Sequence, residues 1–449
     1  MRLLSTSGRA PHVSFVDGLL AGLAPDGGLY LPTDLPRFDL TQLQAWRGLP
    51  FDRLAVELAR RLLVGEFPPR VIENLVADAL DFPVPTVQLD DRLFALELFH
   101  GPTLAFKDFG ARFLARVFGH ALAERGQHAT ILVATSGDTG SAVAQGFAGV
   151  PHVRVVVLYP AGKVSPFQEA QMATIGGNVE ALRVPGVFDD CQRLVKAAFL
   201  DPTLSVLHLS SANSINIGRL LPQSFYYLAS YLAVAGASHQ SVVFSVPSGN
   251  LGNLTAGVLA ARMGVPVARF IAAANLNDVL PEFLVTGTYR ARPSVATLSN
   301  AMDVGDPSNF ARLFHLTHGS VDQMRQLVRG ERITEPETRD AIRRAYRESN
   351  LVIDPHGAVA LAAGRRYLES TSAPDPVIAL LTAHPAKFGD AIRDELGFEP
   401  PLPERDRDWR SRPLLATDLP DTQFSTFREW LLRESPVPSA SNLPSILPV

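Results

Sequence analysis

Lys107 sits in the densest motif of the chain, Phe99-His100-Gly101-Pro102-Thr103-Leu104-Ala105-Phe106-Lys107-Asp108-Phe109. Of the 41 basic residues only four are lysine, Lys107, Lys163, Lys196 and Lys387, and the rest are arginine. Arginine stays protonated at physiological pH, whereas a lysine amine can lose its proton and attack a carbonyl. A lysine kept in so arginine-biased a chain is therefore a candidate nucleophile, with a solvated helix-start cation as the plain alternative.

Three polar loops extend that chemistry. Ser248-Gly249-Asn250-Leu251-Gly252-Asn253 lies between an apolar run and a helical pattern. Its glycines let backbone amides approach an anion at a helix N-terminus. It lacks a Walker lysine and the Gly-x-Gly-x-x-Gly spacing, so neither a nucleotide-triphosphate loop nor a dinucleotide fingerprint fits. A tight turn with an Asn cap is the alternative. Thr135-Ser136-Gly137-Asp138-Thr139-Gly140 offers hydroxyls and a carboxylate, or is an ordinary capping turn. Ser210 to Arg219 combines Ser, Asn and a trailing Arg, which suits a doubly charged phosphate, or is a capped surface helix. After a further apolar run, Thr382 offers a hydroxyl to a ring nitrogen, or simply ends a strand. A reactive lysine, a phosphate cradle without nucleotide signatures and a second anion site together fit pyridoxal 5'-phosphate, whose aldehyde needs a lysine and whose phosphate needs a cradle. No Gly-x-Ser-x-Gly elbow occurs, and His and Cys spacings suggest no metal site.

The elements that must position these residues follow from the apolar pattern. Runs at Thr130–Ala134, Val153–Tyr159, Val179–Val184, Leu204–Leu209, Val242–Val246, Val267–Ala273 and Val377–Thr382 alternate with helical patterns near 108–125, 140–148, 166–175, 189–199, 217–235 and 254–264. Continuous apolar strands separated by helices predict parallel sheets buried on both faces, in two α/β lobes with a ligand at the strand ends. Residues 1–95 read as turns and amphipathic helices, including a helix at Leu54–Leu63. The Pro- and charge-rich stretch Pro400–Arg412 reads as a boundary, and 435–449 as a disordered tail.

Hydrophobic residues make up 46% of the chain and charged residues 19%, the balance of a globular enzyme. The net charge of −4 gives no footprint for nucleic acid or an anionic membrane. One cysteine, a start without a signal-peptide core and no membrane-length apolar run predict a cytoplasmic protein.

The chain resembles the threonine synthase family, in its shorter bacterial and fungal branch, through Val13-Ser14-Phe15, Asp26–Pro32, Glu97–Phe109, Ala134–Gly140, Tyr159–Gln168, Ser211–Arg219, Val246–Gly257, Thr297–Asp303 and Thr382–Phe388. The resemblance implies a two-lobed, tryptophan-synthase-β-like fold (fold type II), with an N-terminal domain over 1–95, a catalytic region over 96–399 and an extension over 400–434. It also implies that Lys107 bonds the cofactor and that Ser248, Gly249, Asn250, Leu251, Gly252 and Asn253 cradle the cofactor phosphate through backbone amides. Asp138 would stand near the ring 3-hydroxyl, where the wider fold carries Asn, and Thr382 would face the ring nitrogen. Leu251 departs from the aromatic residue expected in the cradle. Lys163, Asn213, Ser214 and Arg219 are candidates for a substrate phosphate, and Ser136 and Thr139 for the substrate's amino-acid end. The implied reaction turns O-phospho-L-homoserine and water into L-threonine and phosphate, in a monomer or homodimer. Rivals are a related phospholyase giving a 2-oxo acid, a relative acting on serine derivatives, which would need no second phosphate site, and a non-catalytic phospho-amino-acid sensor.

Overall fold

The structure, a computed structural model, describes residues 1–235 and 240–433. The expected tail at 435–449 lies outside them. The described residues divide into two compact units, one within Met1–Phe15, Ala24–Phe106 and Leu220–Leu402, the other within Val16–Leu23, Lys107–Arg219 and the described residues from Pro403 to Arg433.

In the first unit, the described residues form a six-stranded sheet. Its neighbours run in the order Val328–Arg332, Val267–Ala274, Val242–Pro247, Val377–Leu381, Leu93–Glu97 and Thr86–Asp90. All pairs are parallel except the last. Every residue of Val242–Pro247 and Val377–Leu381 is buried, as expected of strands covered by helices on both faces. Helices Glu335–Ser349 and Pro355–Ser370 close one face, where Ile342, Val359 and Leu361 pack with Val243, Ile271 and Val377. The N-terminal stretch adds a three-stranded antiparallel sheet with Arg2–Ser5 at its centre, between Val13–Ser14 and Tyr30–Pro32. The carboxylate of Asp26 accepts from the Ser5 hydroxyl and from the amides of Gly28 and Ala10, which fixes the turn entering that last strand.

The described part of the second unit has a five-stranded, all-parallel sheet in the order Thr417–Asp418, Val179–Val184, Val153–Pro160, Ala129–Ala134 and Leu209–Ser210. Helices Phe188–Leu200 and Phe424–Arg433 pack on it through Cys191, Leu194, Phe427 and Leu431. Burial pushes the Cys191 thiol up to about 12, so it behaves as a small core hydrophobe.

Two expectations need correction. The run Leu204–Leu209 is not one strand: Pro202–Leu207 is a 3-10 helix, started by Pro202 and by the Asp201 side chain accepting from the Thr203 amide. His208 then turns through the left-handed region, leaving only Leu209–Ser210 extended. The predicted helix over 217–235 is interrupted, giving Ile217–Leu220 and Gln223–Val234 on either side of Leu221-Pro222. A proline nitrogen cannot donate the helical hydrogen bond.

Candidate active site

The first unit supplies the cradle. Strand Val242–Pro247 runs into Ser248–Leu251, and helix Gly252–Arg262 follows. Leu251 takes a left-handed conformation (φ 59°), and no side chain caps the helix. The Asn-capped turn offered as the plain alternative is therefore not what forms. An uncapped first turn presents main-chain amides and the positive end of the helix dipole, the environment an anion favours.

The loop is held from behind. The Ser248 amide donates to Ala273 O and its hydroxyl to Val246 O. The Asn250 side-chain oxygen accepts from the Ser308 amide at 2.6 Å, and Asn309 Nδ2 donates to Asn250 O. Buried Arg312 in turn donates to Asn309 Oδ1 and to Tyr30 O. A Cβ on Gly249 would lie 2.8 Å from Met302 Cα, so only glycine fits against that backbone. Next to Met302, the Ala301 amide donates to His356 Nε2, while His356 Nδ1 stands 2.6 Å from the Asp354 carboxylate. Asn253 is 6% exposed; its Oδ1 accepts from the hydroxyls of Tyr226 and Tyr227, and its Nδ2 is buried with no protein partner among the described residues. A buried amide donor left over beside an uncapped helix start is what a phosphate would satisfy, so the residues present fit the cofactor phosphate.

Thr382 follows strand Val377–Leu381, the neighbour of the cradle strand, with Ala379 in register with Ser245. It is buried, and its carbonyl accepts from the Phe106 amide. Ala105 and Ala383 bridge antiparallel, His384 N donates to Leu104 O, and Lys387 Nζ donates to Thr103 O at 2.7 Å. The segment that leads into Lys107 is thus laced along 382–387, with Lys387 as one of its ties.

Lys107 and the anion-site candidates belong to the second unit. Lys107 starts helix Lys107–Arg125; its side chain is 16% exposed and Nζ lies 3.6 Å from Asp138 Oδ2. Asp138 opens helix Asp138–Phe147, and its Oδ1 accepts from Gln168 Nε2 at 2.9 Å. Gly137 (φ 144°) lets the chain pass the Gln168 amide, which a Cβ would meet at 2.6 Å. The Thr135 hydroxyl accepts from the amides of Gly137 and Gly140, so the capping-turn alternative is realised within this loop. Ser136 stays exposed and Thr139 half-buried.

Three adjacent parallel strands end at one edge of this sheet. Ser136 and Thr139 follow Ala129–Ala134, Lys163 follows Val153–Pro160, and Asn213 and Ser214 follow Leu209–Ser210. Loops beyond the carboxyl ends of parallel strands are where open α/β sheets bind ligands. Lys163 is exposed, and Asn213 Oδ1 is buried without a protein partner among the described residues. Arg219 stands deeper than the other candidates. It is 3% exposed, its Nη1 donates to Ala212 O at 2.6 Å, and Asp108 contributes a favourable charge. Burial lowers its pKa to about 10. One nitrogen of the guanidinium is thus committed to the turn.

Sequence reasoning missed Tyr226, Tyr227, Asn309, Asp354 and His356. Only Asp354-Pro355 left a local sign, the capping residue and first-turn proline of helix Pro355–Ser370. Among the described residues, no group of His, Cys, Asp and Glu could hold a metal, and no helix is long and apolar enough to cross a membrane.

Known proteins align with the chain almost end to end. Residues 81–383 match the family described as pyridoxal-phosphate dependent enzyme. Residues 2–80 match the threonine synthase N terminus and 357–430 the threonine synthase C-terminal region. The threonine synthase of Serratia marcescens is 43% identical over 433 residues, covering 96% of this chain and 99% of the relative. That of Escherichia coli (strain K12) is 42% identical, with the same coverage. Among solved structures, the PLP-bound threonine synthase from Brucella melitensis superposes with a TM-score of 0.92 at 39% identity, covering 96% of this chain and 99% of that one. The yeast threonine synthase gives 0.91 at 33% identity, covering 96% and 98%.

Proposed function

The chain belongs to the threonine synthase family, and from that premise we propose that it converts O-phospho-L-homoserine and water into L-threonine and phosphate with pyridoxal 5'-phosphate as cofactor. The end-to-end likeness to threonine synthases carries this reading. We assign it to the cytoplasm, which the single cysteine suits, acting on a small molecule as a monomer or homodimer without nucleic-acid or membrane partners.

Bound to the enzyme, pyridoxal phosphate supplies an aldehyde for amines and a conjugated ring that draws electrons from the substrate. Lys107 would hold that aldehyde and, with its amine free, would take the proton from the substrate Cα. The ammonium so formed would return its proton at Cγ after the Cβ proton and the γ-phosphate have left, a shuttling role open to lysine and closed to arginine. Asp138 Oδ2 stands 3.6 Å from that amine. The amides of Gly249 to Asn253 are assigned to the cofactor phosphate and Thr382 to the ring nitrogen. A neutral hydroxyl there leaves that nitrogen less firmly protonated than a carboxylate would. Lys163, Asn213 and Ser214 are assigned to the substrate phosphate, and Ser136 and Thr139 to its amino-acid end. Arg219 becomes the brace of the 211–219 turn.

The experiment is to incubate the pure protein with pyridoxal phosphate and O-phospho-L-homoserine and identify the products. Threonine with stoichiometric phosphate is expected. Ammonia and a 2-oxo acid would replace the reading with the phospholyase, and binding without turnover would replace it with the sensor.

A further inference from the structure

The cradle residue Asn253 has a partner set that the cofactor alone does not explain. Tyr226 and Tyr227, both fully buried, rise from helix Gln223–Val234, and each places its hydroxyl 2.7 Å from Asn253 Oδ1. The next contacts of these hydroxyls are longer, 3.3 Å to Gln223 Oε1 for Tyr226 and 3.0 Å to Asn253 O for Tyr227. A tyrosine hydroxyl has one proton to give, and an amide oxygen has two lone pairs to receive. Two donors on one oxygen fill it and fix which way the amide faces.

The rings themselves cannot swing. Tyr227 packs edge-on against Phe244 and Phe270, and its ring fills the space that a Cβ on Gly257 would take, at 2.8 Å. Tyr226 lies against Tyr227 at 5.1 Å between centroids. With Oδ1 turned to this pair, Nδ2 is directed away from it, and that is the atom left without a protein partner.

We propose that Tyr226 and Tyr227 are positioning residues that lock the Asn253 side-chain amide with its N–H groups toward the cofactor phosphate, adding a side-chain donor to the main-chain cradle. The proposal rests on the cradle reading above and deepens it. A tyrosine pair that merely filled core volume would be replaceable by phenylalanine without effect on phosphate recognition.

The test resolves the enzyme of its cofactor and titrates it with pyridoxal phosphate and with pyridoxal, which lacks the phosphate, following absorbance. Asn253→Asp, which exchanges the donor for a second oxygen, should weaken pyridoxal phosphate about 100-fold, since a buried charged acceptor then faces an anion. Tyr226→Phe and Tyr227→Phe alone should each cost about threefold or less, and the double variant about tenfold or more, because either hydroxyl alone still orients the oxygen. Pyridoxal affinity and the melting temperature of the cofactor-free protein should stay at wild-type values in the double variant. Wild-type affinity in Asn253→Asp would overturn the cradle reading itself. A weakened Asn253→Asp beside an unaffected double phenylalanine variant would overturn only the tyrosine pair. Equal loss for pyridoxal and its phosphate, with a lowered melting temperature, would make the pair plain core and also end the proposal.

Discussion

The loops 248–253 and 211–219 invite comparison. Each leaves the carboxyl end of a parallel strand, each is rich in Asn, Gly and Ser, and each opens a helix. In the first, the helix start has no side-chain cap and the Asn253 amide keeps an unpartnered donor. In the second, the polar groups turn largely inward. Asn216 Nδ2 donates to Leu19 O and Ser211 O, its Oδ1 accepts from Gly218 N, and Arg219 is bonded to Ala212 O. Polar composition is therefore a poor guide to an anion site. What matters is whether the donors are spent on the chain: in the second loop Asn216 Nδ2 and Arg219 Nη1 are spent, and the atom that Asn213 leaves over, its Oδ1, is an acceptor.

Four substitutions press on that contrast. Lys107→Ala should abolish the cofactor's bound visible absorbance and lower phosphate release by about 10⁴-fold or more. Normal turnover would remove the second unit's helix start from the chemistry altogether. Arg219→Ala should act on stability, with a loss of about 3 kcal/mol in denaturant unfolding, because Asp108 is left buried beside an absent cation. A raised KM at unchanged stability would return Arg219 to the substrate phosphate and erase the distinction between the loops. Gly249→Ala should weaken pyridoxal phosphate about tenfold and destabilise the protein by about 1–3 kcal/mol, since the new methyl meets the Met302 backbone at 2.8 Å. Lys163→Ala should raise KM for phosphohomoserine about tenfold with little change in cofactor affinity, and the gap to wild type should narrow in high salt because the ammonium is exposed. A salt-independent KM would place that cation elsewhere in the reaction.

How much of this was readable in the sequence depends on how local the cause is. Strands such as Val153–Pro160 are continuous apolar runs because both faces are covered, and their type and place were legible. Lys107 stood out through its neighbours and its rarity. Leu204–Leu209 misled because an apolar run of six does not distinguish a strand from a tight helical turn, and Asp201-Pro202 ahead of it decides for the turn. The strand Leu93–Glu97 begins inside the 1–95 stretch read as turns and helices and runs past its end, where it pairs between Val377–Leu381 and Thr86–Asp90. The supports of the cradle were invisible for a different reason. Ser308 reaches Asn250 across 58 residues and Ala301 reaches His356 across 55, and no periodicity encodes such meetings. Tyr226 and Tyr227 read as core aromatics on a helix, which they also are.

The placement of the four lysines bears on how this protein would behave in a solution of aldehydes. Lys387 is buried with its ammonium on Thr103 O, and the N-terminal ammonium is held by Glu66, which leaves Lys163 and Lys196 as the lysines at the surface. Ordinary lysine-rich proteins soak up carbonyl reagents indiscriminately. Here the background is two sites, so borohydride trapping followed by peptide mapping should return Lys107 as the dominant adduct even with a large excess of reagent, and a cofactor titration should reach its end point close to one equivalent per chain.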